Sequence, residues 1–456
     1  MEATVSDARS AQEGPATFRD VFGQSEFRAI FAANVLSWVG DYLARAAVTV
    51  LVLRETQSVA LSAAAFAVSY LPWLIGGPLL SALAERHHYR RVMVICDVIR
   101  MALMAFVAMP WMPTWSVFAL IFLATLANPP SQAARSALIP HILTGDRLVV
   151  GLSAFNSAGQ AAQVVGYLIG ATVAALNPNT ALLVNAGTFA VSAALVRFGV
   201  RERPPAMTAV HRSHLLRETA QGFQIVFERP VLRAIAVLVF CAMLFSIVPE
   251  GLAAGWAADG TDGAVDAGTA QAVIMAAVPA GYILGGVVIS RFVAPARRLA
   301  LIRPLMVLAP ATLVPALLNP SPAVVAVLAA GCGFAVGGLI PVANGLFVQA
   351  LPDGYRARAF GVMATGTQVI QGTAVLATGA LAERYSVPSV VGVWSATGVL
   401  IMGAAAFAWP RPGEIDAAIE TARAESSAAG PAHPATRAPA SGDQGHEQGR
   451  PRHAVT

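Results

Sequence analysis

The chain has 456 residues, 56% of them hydrophobic and only 12% charged, with a formal net charge of +5. A soluble domain is about 25% charged, so this composition excludes a water-soluble globular enzyme and points to a polytopic membrane protein. All 30 basic residues are Arg; without Lys there is neither a P-loop ATPase nor a pyridoxal Schiff base.

In chain order, the polar start "MEATVSDARSAQEGP" has no apolar core and does not read as a cleaved signal peptide. Apolar stretches of spanning length come next, near 29–53, 61–84, 92–110, 115–134, 153–176 and 180–198, then near 232–255, 268–290, 299–318, 322–349, 359–381 and 387–409. Pro-rich polar breaks such as "MPWMPTW", "LNPNT" and "LNPSP" separate them. The predicted organisation is a cytoplasmic N-terminal segment (1–27), a six-helix bundle (28–198), a central loop (199–231), a second six-helix bundle (232–409) and a disordered cytoplasmic tail (410–456). Within the central loop, Leu216, Ala220, Phe223 and Phe227 stand at helical spacing, as in a helix lying in the membrane interface; a solvated linker turn is the other reading.

Arg clusters fall in alternate loops, which by the positive-inside rule puts both termini in the cytoplasm. Cys96, Cys241 and Cys332 lie far apart and form neither a disulfide framework nor a metal spacing. Gln160-Ala-Ala-Gln163 ahead of Gly170-Ala171 in span 5 is echoed by Gln368-Val-Ile-Gln371 ahead of Gly379-Ala380 in span 11. That repeat, six spans apart, predicts an all-α membrane fold of twelve helices in two pseudo-symmetric bundles of six. The pairs Gly76-Gly77, Gly285-Gly286 and Gly337-Gly338 read as sites of close helix packing.

Ionisable groups inside spans are costly and mark function. Asn34, Trp38, Asp41 and Arg45 are spaced 4, 3 and 4 residues apart, on one face of span 1. Asp41 and Arg45 are placed to pair within the helix. Either they part during a cycle and Asp41 carries a proton, or they are a fixed pair that orients the span. Glu250, in Pro249-Glu250-Gly251 late in span 7, reads as an external gate or proton entry, or as an interfacial carboxylate. Asp97 and Arg100 read as a structural pair in span 3. Asn128 and Gln132 in span 4, Gln163, Asn344 in span 10 and Gln371 are candidates for a substrate pocket, and Phe31, Trp38, Tyr42, Phe155, Phe245 and Trp256 for its aromatic walls.

The stretch "GPLLSALAERHHYRRVMV" resembles the loop 2–3 signature of the major facilitator superfamily: Arg86, Arg90 and Arg91 match, while Ser81, Glu85 and Tyr89 replace a Gly, an Asp and a Gly. "VGDYL" in span 1, "DVIR" in span 3, "ARSALIP" after span 4 and "LPDGYRARAFGV" before span 11 are similar to the branch of macrolide-efflux and enterobactin-exporter proteins. Two departures stand out. Span 4 has no Arg before Arg135 at its cytoplasmic end, and span 5 lacks the Pro of the drug-antiporter pattern Gly-Pro-x-x-Gly-Gly.

The resemblance implies a secondary transporter of a bacterial inner membrane that exports a drug-like or secondary-metabolite small molecule by proton antiport with alternating access. An importer or facilitator on the same fold, or a non-transporting sensor, is the alternative. It places spans 1, 4, 7 and 10 around a central cavity and span 3 away from it. It brings Glu85 near the start of span 11, where pairing with Arg86, Arg90 or Arg356 would latch the cytoplasmic side, Arg91 and Arg358 being close by. The expected partners are the substrate, protons and the lipid bilayer, with no nucleic acid, no metal and no cofactor, for a monomer.

Overall fold

The computed structural model describes residues 16–73, 87–203, 215–259, 266–352 and 355–428. A short helix α1 (Phe18–Phe22), closed by a capping box between Thr17 and Asp20, leads into the 32-residue α2 (Ser25–Thr56). Next come α3 (Val59–Val68), α4 (Tyr89–Val107), α5 (Thr114–Leu126), α6 (Asn128–Ile142), α7 (Asp146–Leu176) and α8 (Pro178–Gly199). The second half comprises α9 (Leu215–Glu228), α10 (Pro230–Ser246), α11 (Val248–Asp259), α12 (Ala267–Phe292), α13 (Pro295–Ala311), α14 (Pro322–Gln349), α15 (Arg356–Ala382), α16 (Val387–Phe407) and α17 (Pro412–Ala428).

Among the described residues nine helical stretches are long and apolar enough to cross a membrane, counting α5 with α6 and α10 with α11 as single spans. The three other predicted spans coincide with α3, α4 and α15. α4 carries four charged residues (Arg90, Arg91, Asp97, Arg100), which lowers its hydropathy. Span 4 breaks between α5 and α6 at Pro129-Pro130, which cannot donate to the helical ladder. Span 7 breaks before Pro249 in the same way. Exposed Leu176, Phe292, Leu400 and Phe407 give the outer surface the apolar character that lipid requires.

Glycine sets how closely the helices approach. A Cβ on Gly281, Gly285, Gly333 or Gly337 would lie 2.0–2.1 Å from a carbonyl oxygen of the opposing helix, so α12 and α14 meet backbone to backbone. Gly285 and Gly337 thus play the packing part predicted for them; Gly76-Gly77 lies outside the described residues. In the first half Gly170 of α7 meets the Leu43 backbone of α2 in the same manner, while Gly40 of α2 makes room for the Asn185 and Thr188 side chains of α8. The halves meet along α7 with α12 and α3 with α15, where Gly268 abuts Ala175 and Gly379 abuts Ala63. These are spans 5 with 8 and 2 with 11, the exchange that a pseudo-twofold axis imposes.

The linker and tail differ in part from expectation. α9 forms, and Gly222 and Val226 are buried by packing against α15, while Phe223 is exposed and stacks on Phe227 at 5.8 Å. Its apolar residues therefore divide between protein and surroundings. The tail is not disordered from 410: α17 buries Ile415, Ile419 and Ala422, and Glu425 pairs with Arg229 at 2.7 Å. Those residues repeat at 4 and 3, a helical stripe that the Ala- and Ser-rich composition concealed.

Candidate functional site: a polar cavity between the halves

A cavity of about 500 Å³ lies between the two halves. Its wall takes only part of each long helix. From α2 it uses Ala33 to Arg45, though the helix runs to Thr56, and from α7 Phe155 to Gln163. These segments lie toward the end of the bundle where Arg90, Arg91, Arg229 and Arg358 cluster, so the cavity belongs to the Arg-rich end. At the opposite end the halves are tied together. Glu383 accepts from the Ser58 hydroxyl (3.0 Å) and the Ala60 N–H (3.1 Å). Gln271 donates to Thr49 (3.0 Å) and to the Ala46 carbonyl (3.2 Å).

All four residues of the predicted stripe, Asn34, Trp38, Asp41 and Arg45, line the cavity. The expected Asp41–Arg45 pair does not form. Asp41 instead receives Arg100 from α4. Arg100 also donates to Ser37 (3.3 Å) and lies over the Phe189 ring at 3.9 Å. Arg45 donates to the Tyr70 hydroxyl (3.3 Å) and sits 5.2 and 5.0 Å from the ring centroids of Tyr42 and Tyr70. A neighbouring helix supplies Asp41 with a better-placed guanidinium than its own helix does, and Arg45 finds its hydrogen-bond partner just past the end of α3. Asp97 and Arg100 are accordingly more than a peripheral structural pair. Both line the cavity, 3.9 Å apart, and Ser192 donates to Asp97 at 2.6 Å.

Glu250 is displaced furthest from its expected place. It is neither at the outer rim nor at a membrane interface. The span break before Pro249 turns it into the apex of the cavity, 3% exposed. There it accepts from the Tyr167 hydroxyl (2.9 Å) and Gln163 (3.3 Å), both on α7 of the other half. A carboxyl with neutral donors takes up a proton without breaking an ion pair, whereas Asp41 must part from Arg100.

Asn128, Gln132, Gln163 and Gln371 line the cavity as expected, and so do Gln160 and Gln368; both copies of the repeated Gln-x-x-Gln face it. Asn344 is exposed, away from it on α14. Trp38, Tyr42 and Phe155 serve as aromatic wall, while Phe245 and Trp256 are buried in the second half's core. Phe31 packs on the first half's core.

The predicted gate residues are distributed differently. Arg90 and Arg91 each contact Glu202 at 2.6 Å, within the first half. Arg358 donates to Gln221 of α9 (2.9 Å), and Arg356 is exposed at the start of α15. Glu85 and Arg86 lie outside the described residues. Residues the sequence did not single out include Tyr70, Tyr167 and Ser192, and Arg135 takes a larger part than its place at the cytoplasmic end of span 4 suggested. It stands in the cavity wall over Trp38 (5.2 Å) and Phe155 (5.9 Å). Tyr167 comes four residues after Gln163, a spacing from which it was recoverable.

Comparison with known proteins adds the lineage. A sequence profile of the Major Facilitator Superfamily matches residues 30–328. The chain belongs to the Major Facilitator Superfamily. Among superfamily relatives it is 26% identical over 420 residues to the multidrug efflux pump Tap of Mycolicibacterium fortuitum, covering 85% of this chain and 97% of that protein. It is 24% identical over 157 residues to macrolide efflux protein A of Streptococcus pyogenes, of whose length it spans 37%, with 33% of this chain matched. The nucleoside transporter NupG superposes with a TM-score of 0.64 at 16% identity, covering 84% of this chain and 99% of that one. A bacterial homologue of the human lysosomal transporter Spinster gives 0.63 at 12% identity, covering 87% and 96%. At such identities the structural likeness shows the fold alone. This superfamily member is thus a multi-pass membrane protein, with a cavity where the two halves meet.

Proposed function

We propose that the protein exports a drug-like or secondary-metabolite small molecule from a bacterial cell by proton antiport. Its N- and C-termini are cytoplasmic, in keeping with the Arg-rich end facing the cytoplasm. The conformation described is then inward-facing, its outer end held by the Ser58–Glu383 and Thr49–Gln271 contacts. The single observation that carries the coupling is Glu250, buried on the second half and held across the cavity by Tyr167 and Gln163 of the first. Ionised, it grips both donors. Protonated, it loses its charge-assisted bonds, and the halves exchange that grip for another packing. A substrate seated against Tyr167 and Gln163 competes for the same donors, which opposes simultaneous loading of proton and substrate. Asp41, tied to Arg100, faces the cavity as Asp97 does and orients the guanidinium layer beneath. The relatives named as efflux proteins support the outward direction.

The test is proteoliposomes with a pH-sensitive dye inside and a panel of cationic, neutral and anionic efflux substrates outside. Wild type should show substrate-stimulated proton flux, and Glu250→Gln should lose at least tenfold of it while keeping its melting temperature. Undiminished flux in Glu250→Gln overturns the assignment of Glu250. Uptake that runs with the proton gradient inward would replace export with import.

A further inference from the structure

The cavity wall holds three guanidinium groups, Arg45, Arg100 and Arg135. Arg100 is neutralised by Asp41, with Asp97 at 3.9 Å. Arg45 is occupied by Tyr70 and two ring faces, in the same layer as Glu250. Arg135 has no such arrangement. Among the described residues no carboxylate lies within 4.0 Å of it, and its contacts are the faces of Trp38 and Phe155. Rings stacked on the face of a guanidinium leave its N–H edge free, and that planar edge is the shape that receives a carboxylate through two parallel bonds.

A second, independent feature stands one helical turn away. Asn34 precedes Trp38 by four residues, lines the same cavity and is only 6% exposed, yet its Nδ2 has no acceptor. A buried donor left unpaired costs about 1–3 kcal/mol. The protein therefore carries, one helical turn from the Trp38 over which Arg135 sits, a buried amide donor to which no described residue supplies an acceptor.

From these two features we infer that Arg135 and Asn34 form an anion subsite, and that the transported substrate carries a carboxylate which docks there. This rests on the reading of the cavity as the transport site. The subsite lies at the mouth rather than the apex: Asn34 and Arg45 are 11 residues apart, or roughly 16 Å along α2. The substrate is thus extended, its carboxylate on Arg135 and Asn34 and its body along Trp38 and Phe155. The body reaches the layer of Tyr42 and Glu250, where the proton is exchanged. Charge supports the assignment. With Asp41, Asp97 and Arg100 grouped together and Arg45 bonded to the Tyr70 hydroxyl, Arg135 is the cavity guanidinium that, among the described residues, has neither an ion pair nor a side-chain hydrogen bond.

The test uses the purified full chain in detergent and two probes of nearly equal shape, 2-naphthoate and neutral 2-naphthamide, titrated by calorimetry. Wild type should bind the acid at least tenfold more tightly than the amide. Arg135→Gln should bring that ratio below about twofold, Arg135→Lys should leave it intermediate because the planar edge is lost but the charge is kept, and Asn34→Leu should weaken the acid several-fold. The three variants should keep the wild-type melting temperature, which shows that the fold is intact. Equal affinities in wild type, no binding of the acid, or an acid preference that survives Arg135→Gln would each overturn the subsite. No gradient enters this measurement. An intact naphthoate preference together with undiminished proton flux in Glu250→Gln would fault the coupling assignment alone.

Discussion

Arg100 shows how one side chain rewrites the meaning of its neighbours. It is buried beneath Phe189 and takes Asp41 from the partner that helical spacing assigned to it. Removing it leaves two carboxylates facing each other without a counter-charge. Breaking a buried ion pair from one side costs about 3–5 kcal/mol. Arg100→Gln should therefore lower the melting temperature sharply, and Asp41→Asn in the same chain should recover part of the loss; thermal denaturation of the four proteins of the cycle measures this. Outside the membrane the ion pairs have a different character. Desolvation opposes ionisation of Glu202, but Arg90 and Arg91 outweigh it and hold the carboxyl below its ordinary 4.5. Because the folded value is the lower one, the contribution of this clasp is complete above the unfolded value and disappears as pH falls through the folded one. Wild type and Glu202→Gln should accordingly differ in hydrogen exchange over 199–203 at pH 7 and converge as pH falls through the lowered value of the folded carboxyl.

At the scale of elements, glycine decides which helices touch. A Cβ at Gly333 would sit 2.0 Å from the Val278 carbonyl oxygen, and nothing but backbone lies there to give way. Overpacking of this kind costs about 1–3 kcal/mol. Gly333→Ala should destabilise the second half by that much. Gly403→Ala, with nothing within 4 Å of the new atom, should be neutral or gain up to about 1 kcal/mol from helix propensity. Chemical denaturation in mixed micelles separates the two. α17 also belongs at this scale. A tail that reads as polar and alanine-rich closes over the second half because three apolar residues recur on one face, and Arg229 anchors its far end.

At the scale of the whole molecule, the halves are tied at one end and separated by the cavity toward the other. Glu383 at the end of α15 accepts from the first turn of α3, so it grips a helix N-terminus of the other half. Glu383→Ala combined with Ser58→Ala should shift the population toward an outward-open form. Spin-label distances between the outer ends of α3 and α15 would lengthen, while those at the Arg-rich end would shorten. Unchanged distances would show that Gln271 and the Gly268–Ala175 contact suffice to hold the outer end. The ion pairs described at the Arg-rich end (Arg90 and Arg91 with Glu202, Arg203 with Glu26, Arg229 with Glu425) each join elements of a single half.

The sequence alone determined the properties that periodicity and composition record: the membrane as solvent, the helical spans, the repeated halves and the face of α2 that carries Asn34, Trp38, Asp41 and Arg45. Most of these belong to one helix at a time, and hydropathy and a period of 3.6 express them directly. Which charge meets which was decided by the tertiary structure. Asp41 lies one turn from Arg45 in the chain and 59 residues from Arg100, yet it bonds to the latter. Glu250 reads as an external gate or proton entry, or as an interfacial carboxylate, until the break before Pro249 and the approach of α7 make it the apex of a cavity. Arg135 reads as the cytoplasmic end of span 4 until Trp38 and Phe155 are folded around it. Ionic and stacking contacts depend on the rotation and separation of neighbouring helices, and in this protein backbone-to-backbone glycine contacts help to set both.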